Sequence, residues 1–409
     1  MASGGAQLVE QGAGCRRTDP RSQPRRCQTL EVTPSSLLRI HTILAAPSLL
    51  FHASLDLSKP SPSTFHSDHK TSHSMSTEPE AHNYPLHESV LGRIDPEYAA
   101  FYNKHIFDKP QVHLQPIAAS RSSGILIPGA GPLVPVAKTA DYTFPRRHSA
   151  GPDVRVRAFT PEGARPAAGW PVCVYFHGGG WVLGTIDTEN VVATNLASRG
   201  GAVVVTTDYR LAPEYPFPAA VDDCWEAVQW VLGEGKDVLE LDTTRLATGG
   251  SSAGGNLAAV MCQRAVARPG HPRFKLQLLS VPVADNTADV DNNASWRENK
   301  LTPALPAEKM LWYRRHYLPD RADWAHPEAS PLLWTGDWAA LPPAVIVAGE
   351  LDVLRDEGVA FGERLRAAGV RADVHVLKGQ PHPFLAMDGV LEAGRQAITY
   401  FCDALRTMV

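Results

Sequence analysis

Between residues 170 and 350 the hydrophobic positions come in short, largely continuous runs: Val172 to Phe176, Ala202 to Val205, Leu276 to Val283 and Ala344 to Ala348, with a shorter Leu246-Ala247. A strand that is apolar at every position has both faces covered, the condition of a strand inside a parallel sheet. Helical stretches lie between the runs, from Ala219 to Leu232 and from Gly254 to Val266. Strand and helix in alternation predict a doubly wound, mostly parallel α/β sheet. Ahead of it, Val154 to Phe159 alternates with period 2, as a half-exposed strand should. Asp95-Pro96-Glu97-Tyr98-Ala99-Ala100-Phe101 places a capping Asp before a Pro at the first helical position, so a helix starts there. One segment breaks the alternation, from Asp285 to about Leu333, rich in Asn, Asp, Trp and Pro, with a helical piece near Ala307 to Tyr317. An insertion of this kind predicts a cap or lid.

Residues 1–74 differ from everything after them, being rich in Ser, Pro, Arg and His with no sustained period of 2 or 3.6. Their best apolar stretch, Ile43 to Phe51, is broken by Pro47, too short for a membrane span and too deep for a signal peptide. Arg16, Arg17, Arg21, Arg25 and Arg26 among serines suggest a mitochondrial transit signal, but Glu10, Asp19, Glu31 and several prolines spoil its amphipathic helix. The plainer expectation is that translation starts at Met75, residues 1–74 being a disordered tail or a gene-model extension and 75–409 the folded domain.

Composition narrows the partners. A chain of 409 residues with 44% hydrophobic and 20% charged residues can bury a large core, and its net charge of −4 supplies no basic field for nucleic acid or an anionic membrane. No two of the six cysteines have the two-residue spacing of a zinc or redox site. They read as free thiols, such as Cys173 inside an apolar run, and favour a reducing, cytoplasmic setting.

The chemistry begins at Gly249-Gly250-Ser251-Ser252-Ala253-Gly254-Gly255, a turn of small residues between a strand and a helix. Gly-x-Ser-x-Gly in that context is a nucleophile elbow, with Ser252 as nucleophile: flanking glycines remove the Cβ atoms that would clash, and the hydroxyl is exposed above the sheet. Upstream, His177-Gly178-Gly179-Gly180-Trp181 follows an apolar strand. Glycines there let backbone N–H groups approach a tetrahedral oxyanion, so Gly178, Gly179 and Gly180, with the amide of Ala253, are the expected oxyanion hole. The loop lacks the Gly-Lys-Ser/Thr and dinucleotide spacings of phosphate cradles. Downstream, Val345 to Asp352 places a carboxylate just past a strand, and Gly379-Gln380-Pro381-His382 does the same for an imidazole. Serine, acid, histidine is the chain order of α/β-hydrolases, which makes Asp352 and His382 the expected partners. Glu350, Asp356 and Glu357 are rival acids and His375 a rival base.

With these residues the sequence resembles the hormone-sensitive-lipase-like family of α/β-hydrolases, over most of residues 90–405. The most specific parts are His177 to Trp181, Asp208-Tyr209-Arg210-Leu211-Ala212-Pro213-Glu214, Pro216-Phe217-Pro218-Ala219-Ala220, the elbow, and Asp352 with Leu354-Arg355-Asp356-Glu357. The resemblance implies an α/β-hydrolase fold with a helical cap, here about 85–120 and 285–333. It also implies hydrolysis of short- to medium-chain carboxylic esters, a triad of Ser252, Asp352 and His382, and no metal or organic cofactor. Two departures stand out: Ser251 where the family has Asp or Thr, and Pro383 after the histidine where it has Gly. Arg210 between acidic neighbours suits an ion-paired loop beneath the site. Trp181, Tyr209, Trp312 and Tyr313 are candidates to line an acyl pocket, or are simply packing.

The leading expectation is thus a cytoplasmic serine carboxylesterase acting on a small-molecule ester, without nucleic acid or membrane insertion. The alternative from another class is a non-catalytic small-molecule receptor on the same fold, as the gibberellin receptors are, against which His382 speaks because those receptors lack the triad histidine. A lipase acting at an oil surface ranks lower, since no extended apolar lid is visible.

Overall fold

The computed structural model describes residues 83–122 and 128–408. The expectations for residues 1–74 and for a start at Met75 fall on residues outside that range. Eight strands form one sheet: β1 Lys138–Phe144, β2 Val154–Thr160, β3 Trp170–Phe176, β4 Val203–Asp208, β5 Leu241–Ser251, β6 Leu276–Ser280, β7 Ala344–Leu351 and β8 Ala372–Pro381. Their order is β1-β2-β4-β3-β5-β6-β7-β8, with β1/β2 and β2/β4 antiparallel and the remaining pairs parallel.

The largely continuous apolar runs are explained by the two cores that flank the sheet. Val172, Val174 and Phe176 enter one core, with the helices Ala219–Leu232, Ala253–Ala267 and Arg355–Ala367. Cys173 and Tyr175 enter the other, with the helices Asn190–Gly200 and Glu392–Arg406. Alternate side chains point to opposite faces, so a strand covered on both sides is apolar along most of its length. The antiparallel edge differs: Val154, Val156 and Ala158 are buried while Arg155 is exposed. Strand β1 was not foreseen from the pattern. Lys-Thr-Ala-Asp-Tyr-Thr-Phe holds no apolar run and becomes a strand by pairing with β2, Tyr142 opposite Val156.

The helix start at Asp95 is as expected, the Asp side chain accepting from the Glu97 and Tyr98 amides at 2.8 and 3.1 Å, and Ala307–Tyr317 is helical. The free cysteines Cys173, Cys224, Cys262 and Cys402 are all buried.

Candidate active site

Strand β5 passes into the helix Ala253–Ala267 with one residue between them, Ser252, at φ 54° and ψ −116°. This backbone conformation is rare for an L-residue and is held by the surroundings: the Ser252 N–H donates to the Ser280 carbonyl of β6 at 2.8 Å. The flanking glycines are required by close approach. A Cβ on Gly254 would lie 1.9 Å from the Phe176 carbonyl oxygen, and one on Gly250 would lie 2.3 Å from the carbonyl oxygen of Gly254. Both obstacles are backbone, which cannot turn aside.

Three strand ends bring the remaining groups to this turn. His382 directly follows β8, with Nε2 2.8 Å from Ser252 Oγ and Nδ1 2.7 Å from Asp352 Oδ2. Asp352, just past β7, is fully buried, and its other oxygen accepts the Leu354 N–H at 3.0 Å. Pro383 does not misdirect the imidazole. His382 follows directly on β8, and Pro383 caps the short 3-10 turn Phe384–Met387. The rival groups are occupied elsewhere. Glu350 accepts the Gly379 N–H at 2.8 Å, Asp356 the Ser295 N–H at 2.8 Å and Glu357 the Ala284 N–H at 2.8 Å, while His375 stacks on Tyr400 at 4.0 Å.

The glycine loop needs one correction. The Gly178 N–H points to Glu189, whose Oε1 it meets at 3.3 Å, so this amide already has an acceptor. The amides of Gly179, Gly180 and Ala253 make no hydrogen bond among the described residues. Gly179 at φ 120° and Gly180 at φ 61° take conformations that favour glycine, and a Cβ on Gly180 would lie 2.3 Å from the Tyr313 ring.

Glu189 was not singled out from the sequence, because Asp187-Thr188-Glu189-Asn190 carries no motif. It sits at φ 64° just before the helix Asn190–Gly200. Its carboxyl accepts from Ser251 Oγ, from Tyr175 Oη at 2.8 Å and from Gly178 N, tying the elbow, β3 and the glycine loop together. Burial raises its pKa, against the pull of those donors. Ser251, the second hydroxyl of the elbow, is therefore engaged with Glu189, while His382 meets Ser252. Burial pushes the imidazole of His177 down to about 4, so it is neutral; it stacks on Tyr209 at 4.2 Å, and the Tyr209 hydroxyl donates to its carbonyl at 2.8 Å.

A cavity of about 560 Å³ opens over Ser252 and His382. Of the four aromatic candidates only Tyr313 lines it. Trp181 is buried against Tyr317 with ring centroids 4.2 Å apart, Tyr209 lies under His177, and Trp312 packs edge-on to Tyr313 and His316. The walls include Tyr98, Tyr102 and Val112 from one segment and Leu305, Lys309 and Met310 from the other. Arg210 is ion-paired as expected, its partner being Asp223: Nη2 donates to Oδ1 at 2.8 Å and Nε to Oδ2 at 3.1 Å. Arg146 reaches the same carboxylate at 2.6 Å. Among the described residues no group of three or more His, Cys, Asp or Glu could hold a metal ion, and no helix is long and apolar enough to cross a membrane.

A mostly parallel eight-stranded sheet with a strained serine at the strand-to-helix turn of a central strand defines an α/β-hydrolase. A family model described as alpha/beta hydrolase fold matches residues 173–386. The chain is 47% identical over 317 residues to an AB hydrolase superfamily protein of Schizosaccharomyces pombe, covering 76% of this chain and 93% of that one. It is 38% identical over 261 residues to the esterase LipI of Mycobacterium tuberculosis, covering 64% and 79%. Among solved structures, an esterase of Pyrobaculum calidifontis superposes with a TM-score of 0.67 at 34% identity, covering 77% of this chain and 99% of that one. The chain belongs to the hormone-sensitive-lipase-like family of α/β-hydrolases and is an enzyme of the carboxylesterase type.

Proposed function

We propose that this enzyme hydrolyses small carboxylic esters of short to medium acyl chain through an acyl-enzyme on Ser252. The observation that carries the reading is the continuous line from Ser252 Oγ to His382 Nε2 at 2.8 Å and from His382 Nδ1 to Asp352 Oδ2 at 2.7 Å. His382 takes the Ser252 proton as Oγ attacks the ester carbonyl, then delivers it to the departing alcohol. Asp352, buried and hydrogen-bonded, holds the imidazole with its Nδ1–H inward and stabilises the imidazolium. The three free amides of Gly179, Gly180 and Ala253 receive the negative charge on the former carbonyl oxygen. Water then attacks the acyl carbon by the same route in reverse and frees the acid.

Residues near 85–120 and 285–333 act as the cap, both contributing walls to a cavity of about 560 Å³, a size suited to small molecules. A receptor without chemistry would have no use for an imidazole in contact with the serine. Purified protein should cleave nitrophenyl acetate and butyrate and take up a fluorophosphonate probe. Folded protein that does neither overturns this reading.

A further inference from the structure

Of the cations that line the cavity, Lys309 has no ion-pair partner among the described residues and is left unused by the reaction at Ser252. Lys309, on the cap helix Ala307–Tyr317, lines it, and its ammonium makes one hydrogen bond among the described residues, to the Ala304 carbonyl at 2.7 Å. An ammonium has three donors, so two remain without an acceptor among the described residues. No carboxylate of the described residues lies within ion-pair distance, although Glu308 is its neighbour in sequence. Glu308 is exposed, and its charge, like that of Lys309, is felt by His113 on the turn Val112–Leu114. His113 offers Lys309 no negative charge: its own proton affinity is lowered by burial and then by Lys309, and its Nδ1 is buried with no partner.

The rest of the cavity has the same polarity. His105 and Lys109 line it, Lys109 meeting the exposed Asp108 at 3.2 Å. The acid among the lining residues besides them is Glu189, which already accepts from three donors. The remaining lining residues carry no charge; they include Leu305, Met310, Val112 and the Tyr313 ring, with Gln111 and Gln115 as neutral polar groups. A partly buried ammonium with no countercharge among the described residues favours an anionic ligand. Burial lowers the pKa of Lys309 to about 8, so at pH 7 the ammonium is still mainly charged.

We propose that Lys309 is a specificity-determining residue that binds a carboxylate on the substrate, so that the preferred esters carry an anionic group away from the scissile carbonyl, as half-esters of dicarboxylic acids do. This rests on the ester-hydrolase reading and adds a substrate class to it. A substrate carboxylate supplies the missing acceptor and countercharge in one group, through a charge-assisted hydrogen bond.

The test compares kcat/KM for the mono-4-nitrophenyl ester of adipic acid with that for 4-nitrophenyl 6-methylheptanoate, in which an isopropyl group replaces the carboxylate. Wild type should favour the anionic ester, and the ratio should fall roughly 10- to 100-fold in Lys309→Met, the range of a charge-assisted hydrogen bond, with most of the change in KM. Lys309→Arg should restore most of it. In wild type the preference should also fade as pH rises through about 8, where Lys309 loses its proton. A wild-type preference for the neutral ester, or a ratio unmoved by Lys309→Met, overturns the proposal, and the wild-type ratio decides even if the variant does not fold. Fluorophosphonate labelling in each sample separates the two readings: labelled protein that turns over both esters equally refutes the Lys309 site alone, whereas unlabelled, inactive wild type refutes the esterase.

Discussion

The two halves of the site are built by different physics. Below the substrate, each group hangs from the end of a strand, and backbone meets backbone at distances that permit only one kind of residue. Above it, the proposed cap offers side chains from the turn Val112–Leu114 and the helix Ala307–Tyr317, where what faces the cavity is decided by how one helix is rotated against its neighbours. Trp312 and Tyr313 make the contrast plain. They are adjacent and both aromatic, yet only Tyr313 reaches the cavity, because successive helical residues point about 100° apart. The lower half is thus a matter of chain geometry, and the upper half a matter of packing.

The largest test of that division is removal of the proposed nucleophile. Ser252→Ala should lower kcat by at least about 10⁴-fold with the fold intact, because serine, imidazole and carboxylate act as one unit. Ser251→Ala, which deletes only a bond to Glu189, should leave most turnover in place. Steady-state kinetics on nitrophenyl butyrate with matched circular dichroism distinguishes the two.

Next in size is the scaffold beneath. Gly254→Ala places a methyl 1.9 Å from the Phe176 carbonyl oxygen, so helix and strand must separate. A loss of about 3 kcal/mol or more is expected, in the range of severe strain or overpacking. Denaturant unfolding measures it, and an unchanged midpoint would show that the elbow does not need this glycine.

In the cap the effects should be smaller and unequal. Tyr313→Ala enlarges the cavity and removes the wall against Gly180, so kcat/KM should fall roughly tenfold and acyl-chain preference should shift to longer chains. Trp312→Ala should change stability more than selectivity. An acyl-length series on both variants checks this, and equal shifts would erase the distinction drawn from the helix rotation.

The smallest effect on turnover is expected at Glu357, beneath the cap. Burial raises its carboxyl to about 8 in the fold, well above the 4.5 of a free glutamate. The folded state therefore keeps a proton that the unfolded chain releases. Stability from this group is fully present below about 4.5, declines as pH rises, and is lost by about 8, on the order of 1 kcal/mol per pH unit. Glu357→Gln should flatten the fall of melting temperature over that window, with kcat little altered.

These contrasts also explain what could be read from the sequence. The central strands, the elbow and the order serine, acid, histidine were legible because two-sided burial leaves apolar runs, and backbone contact leaves glycines. Strand β1 was not, since its polar alternation becomes a strand only against β2. Gly178 was assigned to the oxyanion hole because a glycine run does not show which amide is already bonded, and the bonding partner, Glu189, is eleven residues away in a stretch without a motif. Trp181 and Tyr209 were candidate pocket residues by type, but the same large rings that suit a pocket also suit the core beneath it.

Ser251 and Ser252 are adjacent hydroxyls, one turned to Glu189 and the other to His382, and the whole reading depends on which one carries the acyl group. The direct measurement is rapid quenching during turnover of a slow ester, followed by fragmentation of the peptide spanning the elbow. The acyl mass is expected on Ser252, with no such adduct in Ser252→Ala. An acyl group on Ser251, or undiminished turnover by Ser252→Ala, would contradict it.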